Sequence, residues 1–430
     1  MKVLHISKFY PPVMGGIESV AWELVEGLNR QGVATQVLCA HHRAWGVREQ
    51  AAAGYTVWRA GNWVRVLSTS ICPSMPWHLA RLAREVDVIH VHMPDPMSAA
   101  ALWLVRPRAR LVVHWHSDVI RQRRALRLYE PLQQWVLKRA DAVLATSPPY
   151  AQTSQPLLGC AAKVKVVPIG ISDNPQQNST QVAQALRQRF KGRSLVFALG
   201  RMTYYKGFDV LIRAAARLPD SCAVVIGGDG ELLAEYRSLV NRLGLAGKVH
   251  LLGKVLDHEL KGHFEACDIF CMPSIVRAEA YGVAMLEAMV MGKPVVATNI
   301  EGSGVPWVNL HGVTGLNVAA QEPEALAAAL NRLIEDEPLR QRMGAAARCR
   351  YEQEFRAEIE SVRGVSVNPN ILKTLMERNW VRVVGHRDVP GHPELLGTAR
   401  EFLDYFGLKS LDDLPPLAEL KDMGEIHMQL

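Results

Sequence analysis

Short apolar runs alternate with amphipathic helical patterns along most of the 430-residue chain. The runs are about four or five residues long and are mostly bounded by polar or turn residues, which is typical of buried parallel strands. A polar stretch at residues 172–180 separates a first series of runs from a second. Because alternating strands and helices favour a doubly wound sheet covered on both faces, the pattern predicts two successive α/β domains.

The predicted strands lie at residues 3–6, 35–38, 88–91, 111–113, 142–145 and 163–167, then at 195–199, 223–226, 249–252, 269–272 and 295–297. We predict one domain at residues 1–170, a second at 171–355, and a third segment of different composition at 356–430. Two α/β domains that face each other leave a cleft at the carboxyl ends of their strands, where ligands bind in open sheets.

Composition narrows the class of protein. A chain that is 49% hydrophobic and 21% charged is ordinary for a soluble globular protein, which excludes collagen, disordered and small disulfide-scaffold classes. The net charge of +7 is uneven, because residues 359–430 hold eight Lys and Arg against eleven Asp and Glu. A basic body with a mildly acidic tail indicates two unlike pieces in one chain.

Cysteine usage and hydropathy bear on location. Seven cysteines without a CxxC pair favour a reducing, cytoplasmic location. The first residues do not resemble a signal peptide, and no apolar run approaches the ~18 residues of a spanning helix. The basic segment from Arg121 to Arg139 has interleaved apolar residues, so it is predicted either to lie on the inner face of an anionic membrane or to form a solvated helix face. A nucleic-acid surface is not indicated.

Two motifs suit a phosphate-bearing ligand. Gly15 and Gly16 stand between the first strand and a helix, where glycine lets the backbone approach a phosphate and the helix N-terminus offers free N–H groups. Arg201 and Lys206 follow the first strand of the second domain and can clamp a diphosphate. The structural alternative for the two glycines is a tight strand-to-helix turn, and for Arg201 and Lys206 it is two solvated surface bases. The glycines match neither a dinucleotide-binding fingerprint nor a Walker loop.

His116 follows the fourth strand, at the predicted cleft. A histidine there can hydrogen-bond a sugar hydroxyl or stabilise charge in a transition state. The alternatives are a satisfied core histidine or, with His114, a metal pair. The linear spacing supplies no third ligand, so we predict no metal.

The most specific element is a pair of glutamates, Glu279 and Glu287, with seven residues between them. Glu279 is predicted to precede a helix at the cleft, and Glu287 to lie about one turn inside it on the same side as Val283. Tyr281 and Gly282 lie between them, and Gly292-Lys293-Pro294 leads into the next predicted strand. Two isolated glutamates at this spacing occur often by chance, but the surrounding residues make a chance occurrence much less probable here.

Together, Gly15-Gly16, His116, Arg201, Lys206-Gly207, the E-x7-E run and Gly292-Lys293-Pro294-Val295-Val296 resemble retaining glycosyltransferases of family 4, which have the GT-B architecture. The resemblance covers about residues 1–355. The segments around Ser274 and Trp307-Val308-Asn309 are similar to a bacterial branch that builds surface polysaccharides such as lipopolysaccharide.

The resemblance implies a role for each motif. Glu287 would hold the nucleotide ribose, with Tyr281, Gly282 and Val283 beside the nucleotide-sugar. Glu279 and His116 would contact the donor sugar as catalytic residues, His116 stabilising an oxocarbenium-like transition state. Arg201, Lys206 and the backbone at Gly15 and Gly16 would bind the leaving diphosphate. The resemblance also implies a GDP-mannose-like donor, a glycan or lipid-linked acceptor, and attack on the same face of the donor sugar. The sequence contains no Asp-x-Asp motif, which favours a metal-independent reaction without a cofactor.

The tail has a resemblance of its own. Its pattern predicts a helix at residues 369–379, a strand at 381–384, a Pro/Gly-rich hairpin at 385–393 and a helix at 399–406, which is the plan of a winged helix. The run Leu408-Lys409-Ser410-Leu411-Asp412-Asp413-Leu414-Pro415-Pro416-Leu417 resembles the C-terminal part of bacterial segregation and condensation protein B. That resemblance implies contact with a kleisin subunit, and the net acidity disfavours DNA.

Two other functions stay open from sequence alone. The chain could act as a chromosome-segregation interaction protein through its tail, with an inert enzyme part. A GT-B epimerase that converts a free nucleotide sugar is a third reading, which the arginine, lysine and E-x7-E spacing disfavours.

Overall fold

A computed structural model describes residues 1–13, 15–66, 69–120, 123–173, 179–356, 381–386 and 394–398. The chain forms two compact units, residues 1–364 and 365–430. The first unit contains two mostly parallel sheets, one on each side of the linker near residue 170.

The strands of the first sheet and a small hairpin beside it are β1 (Lys2–Ser7), β2 (Ala34–Ala40), β3 (Val47–Gln50), β4 (Thr56–Ala60), β5 (Val64–Val66), β6 (Thr69–Ile71), β7 (Val88–Met93), β8 (Arg110–Trp115), β9 (Ala142–Ala145) and β10 (Val164–Val166). The sheet order is β10-β9-β8-β7-β1-β2-β4-β3, and only β3 runs antiparallel to its neighbour. β5 pairs with β6 alone.

The second sheet is six-stranded and parallel, in the order β13-β12-β11-β14-β15-β16. Its strands are β11 (Ser194–Leu199), β12 (Cys222–Gly227), β13 (Val249–Gly253), β14 (Ile269–Met272), β15 (Val295–Thr298) and β16 (Gly315–Val318).

Helices cover both sheets. Those of the first domain are α1 (Gly16–Arg30), α2 (Met75–Leu82), α3 (Pro96–Val105), α4 (Arg123–Arg139), α5 (Pro148–Thr153) and α6 (Gln155–Leu158). Those of the second are α7 (Ser179–Arg189), α8 (Phe208–Ala215), α9 (Leu233–Arg242), α10 (Asp257–Ala266), α11 (Val283–Val290), α12 (Val305–Val308), α13 (Pro323–Glu335) and α14 (Glu337–Arg350), and a π-helical turn, Tyr351–Phe355, follows α14.

The two faces of the first sheet differ in chemistry because side chains alternate along a strand. Leu4 and Ile6 of β1 lie on one face, where they share an apolar core with Leu79 of α2, Leu102 of α3 and Val136 of α4. His5 lies between them in sequence and therefore on the opposite face, together with further buried histidines of β7 and β8. The sheet thus has one apolar face and one face that is partly polar.

The end of the second domain returns to the linker that follows the first. The N–H of Ile171 donates to the carbonyl of Phe355 at 3.0 Å, and the Tyr351 hydroxyl donates to the carbonyl of Ile171 at 2.8 Å. The linker is therefore fixed to the last turn of the second domain.

All eleven predicted strands are present. The sequence prediction missed β3, β5 and β6, because these short strands are largely exposed and show no apolar run. It also missed β4 and β16, where Arg59 and Asn317 interrupt the apolar pattern.

In the second unit, β17 (Val381–His386) pairs antiparallel with β18 (Glu394–Thr398). The predicted strand at 381–384 and the hairpin that follows it agree with this pairing. The predicted helices at residues 369–379 and 399–406 lie outside the described residues.

All seven cysteines are free thiols. Among the described residues, no helix is both long enough and apolar enough to cross a membrane. Residues 121 and 122 of the predicted basic segment lie outside the described residues. The helix α4 covers all of the remainder, with Leu128 on its surface at 87% exposure.

Candidate active site

The centre of the candidate site is a buried ion pair in the second domain. Lys206 Nζ lies 2.6 Å from Glu279 Oε2, and the Ser274 hydroxyl donates to the same oxygen at 3.0 Å. Burial by itself would lower the pKa of Lys206, but the neighbouring Glu279 carboxylate outweighs burial and the pKa ends above its ordinary value. The lysine is therefore a fixed cation near neutral pH, held by a carboxylate that the sequence places 73 residues away.

Glycines let the loop after β11 fold tightly around this lysine. Gly207 has φ +65°, and a Cβ there would lie 2.1 Å from the carbonyl oxygen of Pro273. A Cβ on Gly228 would lie 1.8 Å from the carbonyl oxygen of Gly200. Only glycine fits such contacts, so the loops after β11, β12 and β14 meet at backbone distance around Lys206.

The helix α11 begins as the glutamate spacing predicts. Gly282 has φ +86° directly before the helix, and Glu279 lies in the preceding loop. The Tyr281 side chain is buried, and its hydroxyl donates to the carbonyl of Ile169 at 3.1 Å. The Tyr281 hydroxyl therefore joins the second domain to the linker.

Glu287 lies one turn into α11 and lines a cavity of about 400 Å³ together with Val283. Residues of α1, including Ser19 and Glu23, form the opposite wall, so both domains contribute to this cavity. Burial and, secondarily, the charge of Asp257 raise the pKa of Glu287 to about 7. This volume is in the range of small-molecule sites.

The N-terminus of α1 carries an acidic side chain. Gly15 is extended, with φ −167°, and a Cβ there would lie 2.5 Å from Glu18 Oε2. Burial raises the pKa of Glu18, while a backbone hydrogen bond and the charges of Lys8 and Arg201 oppose that rise. A phosphate that approaches Gly15 and Gly16 must therefore displace the Glu18 carboxylate. Arg201 itself is exposed and comes from the other domain.

His116 is only 6% exposed and is part of a group of buried histidines. Its Nε2 lies 2.9 Å from His92 Nδ1, and its ring is stacked on that of His114 with 4.2 Å between centroids. Burial, and to a smaller extent the proximity of His90, lower the pKa of His116 to about 3. His116 is therefore neutral at physiological pH, which suits a hydrogen-bonding role more than that of a cation.

A polar bridge joins the two domains beside the site. Arg277 of the second domain lies 3.3 Å from Asp118 Oδ2 and donates to the carbonyl of Thr153 at 3.0 Å. The indole of Trp115 and the hydroxyl of Ser154 also donate to Asp118. The bridge fixes the relative positions of the cleft walls.

The predicted residues come from both domains. The second-domain set of Arg201, Lys206, Glu279, Gly282 and Glu287 is carried by neighbouring loops and the start of α11. Gly15, Gly16 and His116 belong to the first domain.

Sequence reasoning gave no role to Lys8, Glu18, Asp118 and Arg277, which lack a short-range pattern. It named Ser274 only as part of a resemblance. It also missed His92. The His-x-His spacing at residues 90–92 and 114–116 indicates that each pair lies on one face of the sheet, but it does not show that the two pairs meet.

Within the segment Trp307-Val308-Asn309, which resembles the polysaccharide-building branch, Asn309 has a structural position. It is fully buried, and its amide donates to the carbonyls of Val295 and Leu316. Asn309 therefore joins β15 to β16 and does not reach the cleft.

Comparisons with known proteins show the family and the fold. The family model Glycosyltransferase Family 4 matches residues 14–174, and the model Glycosyl transferases group 1 matches residues 183–350. The O-antigen chain mannosyltransferase C of Escherichia coli is 32% identical over 386 residues, which cover 88% of this chain and 99% of that protein. The crystal structure of Anabaena HepE in complex with UDP and glucose has a TM-score of 0.67 at 24% identity, covering 87% of this chain and 99% of that one.

The two α/β domains and the two matched family models place the chain in a class of two-domain sugar-transferring enzymes. The chain belongs to the family 4, group 1 glycosyltransferases, and its fold is GT-B, as the sequence predicted.

The tail matches a different family. The model Segregation and condensation complex subunit ScpB matches residues 316–417. The Segregation and condensation protein B homolog of Coxiella burnetii is 49% identical over 104 residues, which cover 23% of this chain and 50% of that protein. The match overlaps residues 316–350, which in this structure form most of β16 and all of α13 and α14 of the glycosyltransferase.

Proposed function

We propose that this chain is a retaining glycosyltransferase that moves a hexose, from GDP-mannose or a related nucleotide sugar, to a glycan or lipid-linked acceptor in surface polysaccharide synthesis. The observation that carries the proposal is the Lys206–Glu279 pair at the meeting point of three loops. The mannosyl donor is supported by the likeness to an O-antigen mannosyltransferase.

The chemistry follows from charge. Departure of a nucleoside diphosphate leaves negative charge on phosphate oxygens, and preorganised cations stabilise it most where water is excluded. Lys206 is such a cation, and Arg201 adds a second whose planar fork suits phosphate. We propose that these fixed cations act in place of a metal ion and that no cofactor is required.

The remaining roles follow the same scheme. Glu287 lines a cavity large enough for a nucleoside and would accept hydrogen bonds from ribose hydroxyls. Glu279 orients Lys206 and lies where the donor sugar would meet it, and neutral His116 would hydrogen-bond that sugar from the other domain. The backbone of Gly15 and Gly16 would meet the diphosphate once Glu18 moves. A phosphate oxygen of the donor would then act as the base for the acceptor hydroxyl, which attacks the donor sugar on the face that the diphosphate leaves. Attack on this face retains the anomeric configuration.

The test is transfer of radiolabelled hexose from GDP- and UDP-linked donors to an extracted lipid-linked acceptor, with and without a chelator. Lys206→Ala should lower kcat by about 10²–10³-fold, because one transition-state charge contact is lost. Lys191→Ala, which removes an exposed lysine of the same domain, is the matched control. Full activity of Lys206→Ala would contradict the assignment, and NMR of the product anomer tests retention.

Location is part of this proposal. A lipid-linked acceptor would place the protein at the inner face of the cytoplasmic membrane, with the basic surface of α4 as the contact. Flotation with anionic and neutral vesicles tests this, and equal binding to both would contradict an electrostatic contact.

A second function is favoured by the tail. The match to the segregation and condensation subunit supports contact with a kleisin subunit. A pull-down of purified kleisin by the full chain tests it. If kleisin is not pulled down by a chain that has measurable sugar-transfer activity, the interaction is rejected and the glycosyltransferase function stands.

A further inference from the structure

Five histidines form a stacked group on one face of the first sheet. His5 belongs to β1, and His90 and His92 belong to β7. His114 belongs to β8, and His116 directly follows that strand. The strand register places His5 beside His90 and His92 beside His114. The group is therefore built by parallel strands distant in sequence, which is why linear spacing did not reveal it.

Among the residues that the structure describes, most of these imidazole nitrogens have no hydrogen-bond partner. Both nitrogens of His5 and of His114 are buried and unpartnered, as are Nε2 of His90 and Nε2 of His92. The hydroxyl of Ser7, two residues after His5 on the same face, is also unpartnered. A buried polar group without a partner costs about 1–3 kcal/mol, so a cluster of them calls for a ligand that can accept several lone pairs.

From this cluster we infer that His92, His114 and His116 form a binding site for a divalent transition metal ion with imidazole preference, of the Zn²⁺ or Co²⁺ type. One nitrogen from each of the three lies within 4.8 Å of the others. Nitrogens that share one tetrahedral zinc at ~2.05 Å lie about 3.4 Å apart, so small side-chain movements bring the set to bonding distance. Neutral imidazoles are the form that a metal ion binds.

Binding requires rotation of the rings. The planes of His114 and His116 are only 14° apart, and lone pairs lie in the ring plane, so two stacked rings cannot both face one ion. Rotation about the Cβ–Cγ bond is a soft torsion for histidine and makes the lone pairs converge. The ion would replace the hydrogen bond between His92 and His116.

The site has a consequence for the proposed transfer reaction. His116 lies at the end of β8 and is more exposed than His92 or His114, so we expect the ion to enter past it from the cleft. An imidazole bound to a metal ion is no longer available to a donor sugar. The ion is therefore an inhibitor of transfer and is distinct from a catalytic metal. This consequence rests on the proposed function, whereas the binding itself does not.

The test is titration of the chelator-treated full chain with Co²⁺ in the absence of donor and acceptor, followed by visible absorption and by metal content. One ion per chain with a saturable ligand-field band is expected, and Zn²⁺ should displace it. His92→Asn and His114→Asn should each weaken binding by at least about tenfold. His90→Asn is the matched control, because His90 is stacked on both residues but is not among the three.

Several results would overturn the site. These are absence of saturable binding to the wild type, equal loss in His90→Asn, or loss in His42→Asn, which removes an exposed histidine. If the variants fail to fold, zinc-induced shifts of the histidine NMR signals of the wild type provide a second test, and unshifted signals contradict the site. Inhibition is measured separately, and full transfer activity at saturating Zn²⁺ would overturn the inhibitory role alone.

Discussion

The Lys206–Glu279 pair of the second domain and the histidine group of the first domain show two different ways of burying polar side chains. In the second domain, Lys206 is charged and is satisfied by Glu279, which in turn accepts from Ser274. In the first domain, the histidines of β1, β7 and β8 are neutral, and many of their nitrogens are unpartnered. A charged group cannot be buried without a partner, whereas an imidazole can lose its proton instead. The comparison therefore predicts opposite responses to removal of a polar side chain.

The largest effect is expected from Glu279→Gln. This substitution keeps the shape but leaves the Lys206 ammonium buried without a counter-charge, which costs about 3–5 kcal/mol of unfolding free energy. Urea unfolding measures it. The double variant Lys206→Met, Glu279→Gln should recover part of the loss, because no charge then remains buried. If Glu279→Gln is as stable as the wild type, the Lys206 ammonium does not require a carboxylate partner in the folded state.

A smaller loss is expected from Gly282→Ala. The residue has φ +86°, and a Cβ would also lie 2.4 Å from the Met272 methyl carbon. We expect a loss of about 1–3 kcal/mol, mainly from the backbone, because the methionine can move. Gly16→Ala is the matched control, since that glycine also stands beside a helix start but has open space around it. Equal losses in the two variants would contradict the backbone argument.

The next effect is a dependence on pH. The pKa of Glu287 is raised to about 7, so the folded state holds this proton more tightly than the unfolded chain does. Its contribution to stability is complete below the ordinary pKa of about 4.5 and is lost as the pH rises through 7. From pH 5 to pH 8, the wild type should lose roughly 1 kcal/mol more than Glu287→Gln, since solvent in the cavity moderates the effect. Parallel pH profiles of the two proteins would contradict this assignment.

The smallest effect is expected from His5→Leu. His5 is fully buried, and neither ring nitrogen has a partner. Replacement of an unsatisfied polar group by an apolar one of similar size is nearly neutral or stabilising, within about 1 kcal/mol. Urea unfolding alongside Glu279→Gln gives the direct contrast. A loss of several kcal/mol would contradict the conclusion that the His5 ring is unsatisfied in the folded state.

The tail offers less to compare. The described strands β17 and β18 agree with the predicted hairpin, and the family match supports the segregation-protein resemblance. The boundary predicted at residue 356 lies close to the division between the two compact units at residue 364.

The sequence by itself determined the two α/β domains, the strand-to-helix turn at Gly15 and Gly16, and the start of α11 after Gly282. These features depend on neighbours a few residues away, through apolar runs and backbone conformation. It also placed Glu279 and Glu287 on either side of that helix start. Local patterns were sufficient for each of these.

Only the tertiary structure decided which groups meet. The Lys206–Glu279 pair joins residues 73 apart, and Arg277 reaches Asp118 in the other domain. His92 reaches His116 only because β7 and β8 are neighbours in register. Neighbouring parallel strands are joined by long crossovers, so residues that are paired in register are far apart in sequence. Local residue spacing does not predict that register.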